Sequence, residues 1–173
     1  MERIRDQKMF NVWKHSGILH IYQTQDQGIA QMYEDAKNSK KIYAIASLGK
    51  TFSYTMSPLN ELLCKQDCDI KFLLLNPDSL SAQKRLDELG LHGYIDDIRS
   101  SIKELGKITH IKLALYDEDL YFRVYLFDNV MYLRFRLDNK YTAGTQTWRI
   151  GKNSYLYRSF HRQFDDLWKK HGT

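Results

Sequence analysis

Hydrophobic and polar positions alternate along the chain between short apolar runs and longer amphipathic stretches. The apolar runs cover residues 18–23, 41–49 and 69–76, and the stretches that follow them place apolar side chains at the three- and four-residue spacing of a helix. The run at 69–76 is apolar at most positions, which is typical of a parallel strand covered on both faces. The pattern predicts an α/β fold with a mixed, mostly parallel sheet that is flanked by helices on both faces.

Capping and turn residues predict where the helices begin and end. Ser57 followed by Pro58 predicts a helix over 58–66, because serine caps a helix and proline fits its first turn. Gly90 and Gly106 end two further helices, of which the first begins at Asp78 or Ser79. The remaining predicted helices cover residues 2–14, 28–37 and 155–170.

Beyond residue 106 the pattern becomes β-rich. Runs over 108–117, 120–128 and 130–137 are separated by short polar turns, which predict antiparallel neighbours. A polar loop leads from the third run to the short strand 148–151.

Length and composition favour one domain over residues 1–173, with residues 1–16 as an extension or linker. The 173 residues are 43% hydrophobic, enough for one core, and no apolar run approaches the roughly 18 residues that a membrane span needs. The first residues lack the apolar core of a secretory signal. We therefore predict a cytoplasmic protein.

The two cysteines indicate reduced thiols rather than a metal site. Cys64 and Cys68 lie four residues apart, and a zinc site needs further ligands at short spacing. The nearest histidine in sequence, His92, is isolated. No metal and no cofactor is predicted.

Positive charge is concentrated in the last third of the chain. Residues 1–120 contain 16 Lys and Arg against 17 Asp and Glu, whereas residues 121–173 contain 10 against 4. Such an excess attracts phosphate in nucleic acid, anionic lipid or nucleotides. An ordinary solvated basic face explains it equally well.

Two motifs give the chain a family resemblance. The segment KFLLLNPDS covers 71–79, and Phe160, Phe164, Leu167 and Trp168 match the closing pattern F-x3-F-x2-L-W. With the order of strands and helices, these motifs resemble the phospholipase D-like superfamily over residues 17–170. The resemblance implies catalysis by two facing H-x-K-x4-D motifs, with one histidine as nucleophile and the other as acid. A chain with one motif would act as a homodimer.

Two registers for that motif compete. By residue identity, His110, Lys112 and Asp117 fit H-x-K-x4-D, with His110 as nucleophile, Lys112 as phosphate ligand and Asp117 as an orienting carboxylate. The Gly-Ser-x-x-Asn segment that follows the motif in the family is missing, because the sequence over 124–128 reads VYLFD.

By topology, the motif strand is the following one. This register places Tyr121 at the histidine, Arg123 at the lysine, Asp128 at the aspartate and Asn139 at the trailing asparagine. A guanidinium suits phosphate, but the nucleophile is lost, because a phenol with its usual pKa of about 10 attacks poorly at neutral pH. We favour this register.

Further residues are candidates for phosphate binding. Lys50 and Thr51 follow a predicted strand but lack the complete phosphate-binding loop, since Ala44 replaces its first glycine. Arg123, Arg134 and Arg136 alternate with aromatic residues, as on a nucleic-acid surface or in an ordinary half-buried sheet.

These observations predict a catalytically degenerate phospholipase D-like domain that binds a phosphate-bearing ligand or nucleic acid, or mediates self-association. Two alternatives stay open. One is an active homodimeric phosphodiesterase or nuclease that uses His110. The other is a regulatory or sensor module of a larger protein.

Overall fold

The computed structural model describes residues 16–54, 57–136 and 145–172. The predicted helix at 2–14 and the candidate Asn139 lie outside these residues. The strands are β1 Ile18–Tyr22, β2 Lys41–Ala46, β3 Asp69–Leu75, β4 Lys112–Tyr116, β5 Phe122–Leu126, β6 Val130–Phe135 and β7 Thr147–Gly151. The helices are α1 Gln25–Lys37, α2 Lys50–Ser53, α3 Leu80–Leu89, α4 Tyr94–Gly106 and α5 Tyr155–His171, with a 3₁₀ helix at Asn60–Cys64.

The seven strands form one sheet in the order β1-β7-β6-β5-β2-β3-β4, which confirms the α/β class. Only the β2–β3 and β3–β4 pairs are parallel, and the four other pairs are antiparallel. The prediction of a mostly parallel sheet is therefore wrong. The physical reason is that β5 pairs antiparallel with β2, and β6 and β7 follow as further antiparallel neighbours.

Alternate residues of the strands pack against helices on opposite faces of the sheet. On β2, Ala44 and Ala46 face the cluster that contains residues of α1 and the 3₁₀ helix, while Tyr43 and Ile45 face the cluster that contains residues of α3 and α5. Strand β3 is buried along most of its length, as its apolar run predicted. Within the described ranges, no helix combines the length and the apolar character needed to cross a membrane.

The local predictions are confirmed at α3 and wrong at the segment after Pro58. Ser79 accepts a hydrogen bond from the Ala82 amide at 3.1 Å and caps α3, which ends at Gly90 with φ of 59°. The predicted helix over 58–66 is wrong, because the segment forms only the 3₁₀ helix. Ser57 donates its hydroxyl to the carbonyl of Thr51 at 2.6 Å, and Asn60 donates to the carbonyl of Phe52, so these side chains hold the segment against α2.

Candidate functional site

A narrow cleft opens at the end of the sheet, beside the carboxyl ends of β2, β3 and β4. Its solvent space is about 30 Å³, and its lining includes Ser47 after β2, Leu75 at the end of β3 and Tyr116 at the end of β4. Strand β2 has β3 on one side, which runs parallel to it, and β5 on the other side, which runs antiparallel. The strand direction therefore changes between β2 and β5. Open α/β sheets bind ligands at such switch points.

Three arginines from different elements line this cleft, which we call the arginine cleft. Arg85 lies on α3, Arg123 on β5 and Arg136 directly after β6. Each is at most 9% exposed. The three positive charges together make the cleft electropositive. Burying a guanidinium costs free energy unless a carboxylate or a bound anion compensates for the lost water.

Three carboxylates in or beside the cleft, those of Glu88, Glu118 and Asp119, neutralise part of this charge. Asp119 accepts from Arg136 at 2.8 Å and from Lys84 at 2.6 Å. Glu88 lies 3.3 Å from Arg85 and 3.6 Å from Arg136. Burial raises the pKa of Asp119, but the hydrogen bonds from Lys84 and Arg136 outweigh it and hold that pKa below its usual value. Glu118 also lines the cleft and pairs with Lys170, so the lining residues are three arginines against two carboxylates, Asp119 and Glu118.

Tyr94 brings a buried hydroxyl to the arginine cleft. The side chain lies at the start of α4 and is 2% exposed. Its hydroxyl has no hydrogen-bond partner among the residues that the structure describes. Buried polar groups are nearly always hydrogen-bonded in native proteins, so this hydroxyl can donate to a ligand without giving up an internal bond.

Arg123 has a second arginine beside it. The β5–β6 ladder pairs Arg123 with Arg134, which is fully buried and donates to the carbonyl of Thr145 at 3.2 Å. Like charges at facing positions of an antiparallel pair repel each other. An anion bound near them would reduce that repulsion. Arg134 itself does not line the arginine cleft.

The residues of the identity-based motif lie along the edge strand β4. Lys112, at the amino end of the strand, is ion-paired with Asp69 at 3.1 Å. Asp117, past the carboxyl end, accepts from the Asn76 amide at 2.9 Å. His110 lies in the turn that precedes the strand, so the five residues of β4 separate it from Asp117 at the opposite end. None of the three lines the arginine cleft.

The topological register brings one of its residues into the cleft and a second to its border. Arg123 lines the cleft, while Tyr121 is exposed, with its ring centre 4.2 Å from the guanidinium carbon of Arg136. Asp128 lies beyond the other end of β5 and accepts from the Lys40 amide at 2.8 Å.

The predicted phosphate ligands after β2 already have partners. Gly49, with φ of 67°, turns the chain into α2, where Lys50 pairs with Asp97 at 2.7 Å. The Thr51 hydroxyl accepts from Tyr125 at 2.7 Å. Ser47, rather than Lys50 or Thr51, lines the cleft.

The sequence did not point to Arg85 or Tyr94. Arg85 follows Lys84 in a helix that contains Glu88, a pattern that indicates a solvated helix face. The burial of Arg85 comes from the position of α3 over the cleft, and no sequence signal marks Tyr94.

Comparison with known proteins gives a fold likeness only. No family model and no curated protein matches the chain. The solved structure of TrmBL2, described as an archaeal chromatin protein with a novel mode of DNA binding, superposes with a TM-score of 0.55 at 13% sequence identity. The match covers 99% of this chain and 62% of TrmBL2, so the chain spans about three fifths of that protein's length. At this identity the likeness concerns the fold alone.

Proposed function

We propose that the chain is a catalytically degenerate phospholipase D-like domain that binds a phosphate-bearing ligand in the arginine cleft. The observation that carries the proposal is the meeting of three buried guanidinium groups and the Tyr94 hydroxyl at the carboxyl edge of the parallel strands. Guanidinium groups bind phosphate oxygens through paired, charge-assisted hydrogen bonds. The solvent space of about 30 Å³ holds little more than a water molecule, so a phosphate would bind at the mouth of the cleft, against its arginines.

Turnover is not part of the proposal, because the cleft lacks a nucleophile of the family's kind. No histidine is among the described residues that line it. At the position expected for the histidine, Tyr121 points to solvent and stacks on Arg136. Its hydroxyl lies 3.5 Å from the Asp119 carboxylate, but Lys84 and Arg136 already bind that carboxylate, so it is a weak base and the phenol stays a poor nucleophile at neutral pH.

The test is binding of inorganic phosphate, measured by calorimetry at constant ionic strength. Arg123→Gln removes a charge-assisted contact and should weaken binding about tenfold or more. Tyr94→Phe should weaken it about fivefold, the loss of one neutral hydrogen bond, without lowering the stability of the ligand-free protein. The matched control is Arg99→Gln, since Arg99 is an exposed arginine on α4 that pairs with Asp78. Unchanged affinity in both cleft variants would overturn the proposal.

The absence of turnover is tested separately with bis(p-nitrophenyl) phosphate as a phosphodiester substrate. We expect no hydrolysis above background. Hydrolysis that disappears in His110→Ala would refute the degenerate assignment and favour the alternative, an active homodimeric phosphodiesterase.

A second candidate function is nucleic-acid binding. Two observations favour it: the fold likeness to TrmBL2, whose description names DNA binding, and the positive excess of residues 121–173. Phosphate contacts make binding to nucleic acid weaken steeply with salt. An oligonucleotide affinity that does not change between low and physiological salt would exclude this function.

A further inference from the structure

Cations that no carboxylate neutralises are concentrated on one surface of the protein. Most exposed lysines and arginines in the described part of the chain have a carboxylate within 4 Å, as Lys40 has Asp67 and Lys107 has Glu104. Within the same residues, six cations outside the sheet core form no such pair: Lys41, Lys65, Lys103, Lys152, Arg158 and Arg162. Lys65 instead donates to backbone carbonyls of Lys37 and Ser39.

Four of these six cations lie together at the start of α5. A groove of about 480 Å³, which we call the α5 groove, is lined by Lys152, Asn153, Tyr157, Arg158, His161, Arg162 and Asp165. Lys41 adjoins it, since its ammonium lies 3.2 Å from the ring of His161. The groove therefore concentrates positive charge that is available to an external anion.

The arrangement of these side chains suits a chain of phosphates. Arg158 and Arg162 are one helical turn apart, so their side chains lie side by side along α5. Arg158 donates to the carbonyl of Asn153 at 2.8 Å, which directs it toward the turn that carries Lys152. Asp165, the carboxylate of the groove, is hydrogen-bonded to His161 at 3.1 Å. Three neighbouring cations thus follow one line from the turn onto the helix.

An exposed aromatic ring accompanies the cations. Tyr155 is 74% exposed and lies three residues before Arg158, on the same side of α5. A base of single-stranded nucleic acid can stack on such a ring while neighbouring phosphates contact basic side chains. A single aromatic residue is too little for a membrane-binding helix, which needs a wide apolar face.

We infer that the α5 groove binds single-stranded nucleic acid, with phosphates on Lys152, Arg158 and Arg162 and one base stacked on Tyr155. The inference rests on the second candidate function and assigns a surface and a ligand class to it. The groove adjoins the amino end of β2 through Lys41, whereas the arginine cleft lies beyond its carboxyl end. The six residues of β2 separate the two sites by about 17 Å along the strand.

The experiment measures fluorescence anisotropy of a labelled oligothymidylate with the full chain. The double variant Arg158→Gln/Arg162→Gln removes two cations, and its matched control, Arg99→Gln/Lys103→Gln, removes two at the same spacing on α4. We expect the groove variant to bind at least about tenfold more weakly and to lower the slope of log affinity against log salt by about 1.4, or 0.7 for each lost phosphate contact. Tyr155→Ala should weaken binding about fivefold or more. Circular dichroism verifies that each variant is folded.

Three results would overturn the inference. Equal weakening by the groove and control variants would mean that net charge, not this surface, determines binding. Unchanged affinity in the groove variant would reject the groove while leaving nucleic-acid binding in place. Tighter binding to duplex DNA or to phosphatidylserine vesicles, with no effect of Tyr155→Ala, would reject single-stranded nucleic acid as the ligand. If the wild type binds no oligonucleotide at any salt concentration, the second candidate function itself fails.

Discussion

A partly buried ion pair fixes α1 to β6 and β7, and replacing its carboxylate tests how much stability the pair contributes. Asp35 on α1 accepts from Arg149 on β7 at 2.7 and 2.9 Å and from the hydroxyl of Tyr132 on β6 at 2.5 Å. The Asp35 side chain is only 14% exposed. Burial raises the pKa of Asp35, but hydrogen bonds from Arg149 and Tyr132 outweigh it and hold that pKa below its usual value.

Asp35→Asn keeps the shape of the side chain and removes its charge. The amide offers one acceptor in place of two and leaves Arg149 without its counterion. Breaking a fully buried pair costs about 3–5 kcal/mol, and since this pair is partly exposed we expect a loss of about 2–3 kcal/mol in the free energy of unfolding. For a chain of this length, that loss lowers Tm by about 5–10 °C.

Urea unfolding followed by circular dichroism measures this loss. The control is Asp166→Asn, because Asp166 is 67% exposed and lies 4.0 Å from Lys169. That change should alter stability by less than about 0.5 kcal/mol.

Since the folded-state pKa of Asp35 is lowered, the contribution of the carboxylate is present above its unfolded-state pKa and is lost as the pH falls through the folded value. The two proteins should therefore converge in acid. A loss below about 1 kcal/mol at neutral pH would refute the assignment of a tightly coupled pair.

Two further changes have defined outcomes. Burial raises the pKa of Glu118, but hydrogen bonds from Lys170 and His171 outweigh it and lower that pKa from 4.5 to about 2. Glu118→Gln should therefore lower Tm above pH 4.5, and the difference should shrink towards zero as the pH falls through 2. A Tm difference that stays undiminished there would contradict the pairing. Ser79→Ala removes the cap of α3 and should cost about 1 kcal/mol in urea unfolding. Ser79→Asn should restore most of that loss, and an unaffected alanine variant would show that the cap does not stabilise the helix.

Local signals in the sequence predicted the elements better than their arrangement. The apolar run that ends in Leu75 predicted a buried strand, and Ser79 and Gly90 predicted the limits of α3. The strand directions were not predictable in this way, because the β-rich pattern after residue 106 does not reveal which edge of β2 it joins. Pairing of β5 with β2 made most of the sheet antiparallel.

Only those residues of the candidate site that lie on or next to a predicted strand could be named from the sequence. Arg123 and Arg136 were named from the sequence, and both line the cleft. Arg85 and Tyr94 come from helices, and their burial depends on how α3 and α4 pack over the end of the sheet. The spacing of apolar residues predicts which face of a helix is buried. It does not predict that a charged residue beside that face becomes covered by another helix or strand.

The position of the strands also bears on which register handles phosphate. Lys112 fits the motif by identity, yet it lies on the edge strand β4 and is ion-paired with Asp69, so binding phosphate there would require breaking that pair. Arg123 fits less well by identity, but β5 lies beside β2 at the point where the chain direction changes, and its side chain lines a cleft with a positive excess. Attraction for an anion depends on the net charge and burial of the surroundings more than on the identity of one side chain. We therefore expect phosphate to bind beside Arg123, and Lys112→Gln to leave the phosphate affinity unchanged while Arg123→Gln reduces it.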